Sequence, residues 1–314
     1  MKVTILIPLY NEEESLRELV DAIDAAMTPT GNPWELLFVN DGSTDGSLEI
    51  LRDIHGDRDN VEVISFGRNC GKAAGLAVGF AAAEGDVVVT MDADLQDDPA
   101  EIPGMIAILE EGYDLVSGWK KERHDPLSKR IPSKLFNGVT RMVSGLSLHD
   151  MNCGLKAYRR EVVKTIRVYG ELHRYTPVLA HFAGFRVTET VVRHHARKFG
   201  QSKYGIERFA RGGFDLLTVL FLRRYLTRPL HFFGMLGSIL FLGGFGIGAY
   251  LTIVKIMGGA IGRRPLLTLG ILLIVVGVQF VSLGLLGEMV ANLRSSSVTY
   301  PVLEHLEPRG GHRG

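Results

Sequence analysis

Short apolar runs in this sequence end, one after another, in acidic, amide and small residues. Val87–Met91 is followed by Asp92-Ala93-Asp94-Leu95-Gln96-Asp97-Asp98, and Trp34–Asn40 closes into Asp41-Gly42-Ser43-Thr44-Asp45. Val3–Pro8 gives way to Leu9-Tyr10-Asn11-Glu12, and Val61–Phe66 to Gly67-Arg68-Asn69-Cys70-Gly71-Lys72. Two carboxylates one residue apart can meet one hard divalent cation, and magnesium or manganese prefer oxygen ligands and are commonly shared with substrate phosphates. Gln96 can add a carbonyl oxygen or hold a water. Lys72 opens a helix after a glycine turn, where helix amides plus an ammonium favour a phosphate. Taken singly these signals are weak. Asp-x-Asp is common in surface turns, a helix-starting lysine is more often solvated, and Ser43, Thr44 and Gly71 are ordinary cap and turn residues. Carboxylates at several strand ends on one rim are not explained that way.

The elements that would hold them alternate. Val3–Pro8, Trp34–Asn40, Val61–Phe66, Val87–Met91 and Leu115–Ser117 read as strands, with helices at Ser15–Met27, Ser47–His55, Lys72–Ala83 and Pro99–Glu110 between them. Such alternation means an α/β, mostly parallel sheet with helices on both faces, and ligands bind beyond the carboxyl ends of its strands. No Gly-x-Gly-x-x-Gly follows the first strand and no Gly-Lys-Ser/Thr loop occurs, which argues against a dinucleotide oxidoreductase and a P-loop enzyme.

Residues 119–228 are less regular. Ile131, Leu135, Val139, Met142 and Leu146 form an apolar stripe beside a basic and polar face, and a second amphipathic segment runs from Tyr204 to Tyr225. Helices near 131–146 and 204–225 are expected to lie in a membrane interface. Two basic clusters adjoin them: Lys120, Lys121, Arg123, Arg130 and Lys134, then Arg197-Lys198-Phe199-Gly200-Gln201-Ser202-Lys203-Tyr204. Lipid head groups or one specific lipid phosphate would suit either cluster equally.

Phe232–Val254 and Pro265–Gly287 carry no charge over 23 residues each. At about 1.5 Å per residue each spans roughly 34 Å, against a hydrocarbon core of about 30 Å, so two transmembrane helices are expected within 229–290. Met1–Pro8 is too short for a signal peptide. Residues 1–228 and a tail at 291–314, expected to be poorly ordered after Tyr300, would then share the cytoplasmic side. Arg223, Arg224, Arg228 and Arg294 agree with that orientation, and Arg263 and Arg264 argue mildly against it. Cys70 and Cys153 show no disulfide or zinc spacing, consistent with a reducing compartment. The 35 basic and 35 acidic side chains give no global pull toward nucleic acid.

Together, Pro8-Leu9-Tyr10-Asn11-Glu12, Asn40-Asp41-Gly42-Ser43, Asp92-Ala93-Asp94-Leu95-Gln96 and Arg197-x-x-Gly200-x-Ser202-Lys203-Tyr204 resemble family 2 glycosyltransferases, in the branch acting on polyprenyl phosphates. The resemblance implies a GT-A fold, an inverting transfer, Mg2+ or Mn2+, a nucleotide-sugar donor, a polyprenyl phosphate acceptor, a multi-pass place in the inner or plasma membrane and a homo-oligomer. It implies that Pro8, Tyr10, Asn11, Glu12, Asp41, Lys72, Asp92, Ala93 and Asp94 hold the donor, with Asp92, Asp94 and Gln96 around the metal. It places the acceptor phosphate on Lys121, Arg123, Arg130, Ser133, Lys134, Arg197, Ser202 and Lys203, and gives catalytic roles to Asp94, Asp150 and Arg197. Asn40 departs from the family, where many relatives carry an aspartate. UDP-glucose and GDP-mannose lead as donors, a modified pentose behind them. Rival readings are a processive polysaccharide synthase, which lacks support because no Gln-x-x-Arg-Trp occurs, and an inactive membrane scaffold.

Overall fold

The computed structural model describes residues 1–121, 141, 145–170, 172–195, 229–259, 265–293 and 302–306. Arg123, Arg130, Ser133, Lys134, Arg197, Ser202 and Lys203 lie outside them, as does nearly all of both expected interfacial helices.

The first body is a sheet with helices on both faces. Its strands are β1 (Val3–Leu9), β2 (Trp34–Asn40), β3 (Val61–Phe66), β4 (Val87–Thr90), β5 (Leu115–Trp119), β6 (Lys156–Arg159), β7 (Val187–Val191) and β8 (Val302–Leu306). They lie in the order β7-β5-β6-β4-β1-β2-β3-β8. β4, β1, β2 and β3 run parallel, as the alternation predicts, while β6 and β8 pair antiparallel with their neighbours. Every residue of β1 is buried, as a strand covered on both faces requires.

Side-chain alternation along β1 sorts the core. Val3, Ile5, Ile7 and Leu9 face α1 (Leu16–Met27), α2 (Ser47–Asp57) and α4 (Ile102–Glu110). Leu6 faces the other way, toward α3 (Lys72–Ala82), α5 (Arg160–Thr165) and α6 (Thr176–Phe182). In α1 the buried residues Leu16, Leu19, Val20, Ile23 and Met27 recur at helical spacing, which binds that stripe to the sheet. The parallel order brings the carboxyl ends of β4, β1, β2 and β3 to one edge, which is where the motifs sit.

Two findings depart from the sequence reading. β6 and β7 are short and polar enough to escape a periodicity argument. The tail after Tyr300 is not simply poorly ordered, because Val302–Leu306 adds an edge strand to β3. It is tied there by Arg52 on Glu304 at 2.5 Å and by His305 on Glu62 at 2.5 Å.

The second body contains α7 (Pro229–Ile256) and α8 (Pro265–Leu293). Both are long and apolar enough to cross a membrane. They pack antiparallel, Leu230 beside Gly284 and Gly244 beside Gly270. A Cβ on Gly244 would fall 2.6 Å from the Gly270 carbonyl oxygen, whereas one on Gly248 would meet nothing within 4 Å. The small-residue face of α7 is therefore used inside the pair. Ile239, Leu242, Phe245, Ile253, Ile271, Leu272 and Leu286 remain exposed around its outside.

The turn after β2 rests on Gly42, whose φ is 66° and whose added Cβ would lie 2.4 Å from the Arg68 carbonyl carbon. Gly31 also has positive φ but open space. Gly42→Ala is expected to cost more than the roughly 1–3 kcal/mol of left-handed strain alone, and Gly31→Ala no more than that strain. Equal losses in denaturant unfolding would refute the Arg68 contact as the limiting constraint.

Candidate active site at the strand ends

The loops after β1 and β2 are tied to each other before they are tied to anything else. Asn11, at φ 55°, donates its backbone N–H to Ser43 Oγ at 2.9 Å, and its Oδ1 accepts from Thr44 N–H at 2.8 Å. Glu12 N–H donates to Ser47 Oγ at 3.0 Å, and Glu13 Oε2 accepts from Gly46 N–H at 2.6 Å. Asn40 Oδ1 accepts from Ser43 N–H at 3.1 Å while its Nδ2 donates to Ser65 Oγ at 3.0 Å. A carboxylate could not donate that second bond, so the amide at this position is accounted for by its partners. Asn11 thus acts as a brace between loops.

Asp41 shapes the entrance to α3. Its buried carboxylate accepts from Cys70 N–H at 2.6 Å and Gly71 N–H at 2.8 Å. Burial pushes its carboxyl above the ordinary value, and those two bonds pull the other way. The bonds fix the turn that delivers Lys72 to the rim.

Lys72 then forms an ion pair with Asp92 Oδ1. Burial pushes the Asp92 carboxyl up, but Lys72, Lys120 and Lys156 overcome it and hold it down at about 2. Room for Asp92 comes from Gly154, since a Cβ there would stand 2.7 Å from Asp92 Oδ2 and 3.0 Å from Asp97 Oδ2. Leu95 turns the loop through a φ of 58°, and Asp94 Oδ1 accepts from Gln96 N–H at 3.2 Å. Asn11 and Leu95 are the non-glycine residues of positive φ among those described, and both sit in loops at this rim, where backbone strain tends to be stored.

Between these loops opens a cavity of about 400 Å³, lined by Pro8, Leu9, Tyr10, Glu12, Asp41, Asn69, Gly71, Lys72, Asp92, Ala93 and Asp94. Nearly every residue expected at the donor reaches it; Asn11 braces it from behind, and Asn69 and Gly71 join the lining without having been expected at the donor. Gln96 is placed differently. It lines neither this cavity nor its neighbour, and its carbonyl oxygen accepts from His195 N–H at 2.9 Å with His194 Nδ1 at 3.1 Å.

A smaller cavity of about 20 Å³ adjoins at Pro8, Lys72 and Asp92, and adds Asn152, Lys156 and His173. Lys156 is buried, donates to the Cys153 carbonyl, and has its pKa pushed down by that burial. His173 is driven down to about 3 by burial and by Lys72, Arg174 and Lys156, so it is neutral. The Cys153 thiol, in the lining of the same cavity, is pushed up to about 12 by burial. Sequence reasoning missed Lys156 and His173, because neither lies after a parallel strand. Asp150 is buried and lines neither cavity, and its Oδ1 accepts from Asn152 N–H at 3.2 Å. Lys121 stands 5.8 Å over the Trp119 ring.

Among the described residues no three His, Cys, Asp or Glu gather around one point. Asp92 and Asp94, which both line the cavity, would instead fit an ion whose remaining ligands are substrate phosphate and water, as magnesium and manganese prefer.

The profile of glycosyl transferase family 2 matches residues 4–167. The dodecaprenyl-phosphate galacturonate synthase of Rhizobium johnstonii is 41% identical over 93% of this chain and 88% of its own length. An undecaprenyl-phosphate 4-deoxy-4-formamido-L-arabinose transferase of Salmonella paratyphi A is 35% identical over 93% of this chain and 89% of its own. The glucosyl-3-phosphoglycerate synthase of Mycobacterium tuberculosis, solved with Mn2+ and UDP-glucose, shares the fold with a TM-score of 0.53 at 21% identity, covering 71% of this chain and 78% of its own. The chain belongs to glycosyl transferase family 2.

Lys72→Met should release Asp92 to the pull of burial. A depressed carboxyl stabilises the fold above its unfolded value, here 3.8, and that contribution fades as pH falls toward about 2. Thermal unfolding should therefore show a wild-type advantage over Lys72→Met at pH 7 that shrinks between pH 4 and pH 2. A gap independent of pH would contradict the pairing.

Proposed function

We propose that this family 2 glycosyltransferase moves a sugar from a nucleotide-sugar onto a polyprenyl phosphate, with inversion at the transferred carbon. The reading is carried by the 400 Å³ strand-end cavity, where Asp41, Lys72, Asp92 and Asp94 converge beside Tyr10 and Pro8. Support for the lipid acceptor comes from the named activities of the Rhizobium and Salmonella relatives, each aligned along 93% of the chain. Those names also move an acidic hexose or a modified pentose ahead of glucose and mannose as the donor sugar.

Pro8, Tyr10, Glu12 and Asp41 would hold base and ribose, with Asn11 bracing the loop. The diphosphate would lie toward Asp92, Ala93, Asp94 and Lys72. A Mg2+ or Mn2+ ion bound to Asp92 and Asp94 would neutralise the leaving diphosphate. As the diphosphate arrives, Lys72 exchanges Asp92 for a phosphate oxygen, so its charge is available without recruiting a new cation.

The acceptor phosphate is the nucleophile. Its second pKa near 6 leaves it mostly ionised at pH 7, so no strong base is needed. Bringing two anions into line is the larger task, and such positioning contributes roughly 7–11 kcal/mol in favourable cases. Lys121, Arg123, Arg130, Ser133, Lys134, Arg197, Ser202 and Lys203 are the groups we assign to the acceptor phosphate. Asp150, buried behind Asn152, suits an orienting role better than that of a base. α7 and α8 are read as a hairpin in the inner or plasma membrane with the sheet on the cytoplasmic side, and the assembly as a homo-oligomer.

Purified chain with undecaprenyl phosphate, Mn2+ and labelled UDP-galacturonate, UDP-glucose or GDP-mannose should yield a lipid-linked monosaccharide, most from the uronate. Asp94→Ala should lose at least about a hundredfold at saturating metal, a loss on the scale of one strong electrostatic contact. Lipid-linked product from no donor would sink the function, and near-normal turnover by Asp94→Ala would sink the metal assignment.

A further inference from the structure

Asp97, one residue beyond Gln96, is 1% exposed and lines neither cavity. Its Oδ1 stands 2.7 Å from the Lys120 ammonium. No other donor among the described residues reaches its carboxylate oxygens with hydrogen-bond geometry. Burial pushes the Lys120 ammonium down, but Asp97, with Cys153 and Asp92 behind it, more than compensates and raises it. A buried ion pair with few supporting bonds is a poor way to gain stability. Its location offers a better account.

The Asp97 backbone bridges to His194, antiparallel. On one side of it the Gln96 carbonyl accepts from His195 N–H at 2.9 Å. On the other side Asp98 Oδ2 lies 3.3 Å from His195 Nε2, and Arg193 reaches Glu101 at 2.8 Å. Three chain segments therefore meet at Gln96–Asp98: the Asp92–Asp94 loop, the end of β5 through Lys120, and the stretch after β7 through His194 and His195. In sequence, Lys120 leads directly into Lys121, Arg123 and Arg130, and His195 into Arg197.

We propose that Asp97, through Lys120, is a positioning residue that registers the acceptor-phosphate side of the site against the metal and diphosphate side. The inference rests on the polyprenyl-phosphate reading above. The pair is neutral overall, so it adds no attraction for the lipid phosphate. It fixes where the cationic stretch begins relative to Asp92 and Asp94, and Lys120 also helps hold Asp92 ionised. The donor cavity has its own bracing through Asn11, Asn40 and Asp41, and Lys72 weighs more on Asp92 than Lys120 does, so losing the pair should move nucleotide binding far less than lipid binding.

Asp97→Asn, Lys120→Met and the double variant are compared as full-length protein in nanodiscs. Each single change strands the partner and should lower the thermal midpoint, while the double variant, with neither charge of the pair left, should recover most of it. In the double variant KM for undecaprenyl phosphate should stay raised at least fivefold, with KM for the nucleotide-sugar within twofold of wild type. Direct binding of undecaprenyl phosphate should weaken in parallel. Recovery of both thermal midpoint and lipid KM, or equal rises in both KM values, would make the pair structural only and overturn the inference. If the single variants do not fold, the double variant decides alone. Wild type that binds no polyprenyl phosphate overturns the function and the inference together. Wild type and double variant binding it equally overturns the inference and leaves the function standing.

Discussion

Asp92 is the charge on which the site depends. Its carboxylate lies at the end of a buried strand, where burial alone would favour the neutral acid, and three lysines keep it ionised. Each lysine comes from a different element: Lys72 from the first turn of α3, Lys120 from just beyond β5, Lys156 from the start of β6. Lys156 and Lys120 are themselves held by a neighbouring carbonyl and carboxylate, at Cys153 and Asp97. An anion that needs so many supports is costly as architecture. On the proposed metal site it becomes intelligible as a ligand kept deprotonated for a cation.

The surrounding fold is arranged to deliver those groups without crowding them. Gly154 leaves space for Asp92 and Asp97 at once, and Gly42 lets the Arg68–Asn69 backbone close over the turn after β2. Asn11, Asn40 and Asp41 tie their side-chain oxygens to backbone N–H groups, which stiffens the cavity before any substrate enters. Preorganisation of this kind lowers the ordering cost of binding. It also separates two sets of residues: one shapes the pocket, and Lys72, Asp92 and Asp94 bring charge to it.

Much of this was legible in the sequence, for a physical reason. Parallel strands put their polar sequels on one rim, so Asp41, Lys72, Asp92 and Asp94 could be gathered from spacing alone. The rule fails where the chain leaves that pattern. Lys156 lies on an antiparallel strand whose alternation is too short to read, and His173 sits in a 3-10 turn with no apolar period. Gln96 was expected at the metal because side chains advertise chemistry, yet it is the Gln96 carbonyl that takes a structural partner in His195. The Asp97–Lys120 pair could not be foreseen, since nothing in sequence links residues at such separation.

The edge strand β8 constrains the rest of the chain. Val302–Leu306 pairs with β3, so the chain departs from the sheet body, runs through α7 and α8, and returns to the same sheet. A membrane crossed by one of those helices must be crossed by both, or the strand could not reach its partner. Backbone pairing of the tail, reinforced by Arg52 with Glu304 and Glu62 with His305, would therefore hold the two helices to one parity in any membrane they cross, whichever side the sheet lies on. It also explains why a tail with little hydrophobic pattern keeps a strand at all: the edge of β3 would otherwise stand open, and a short charged strand covers it.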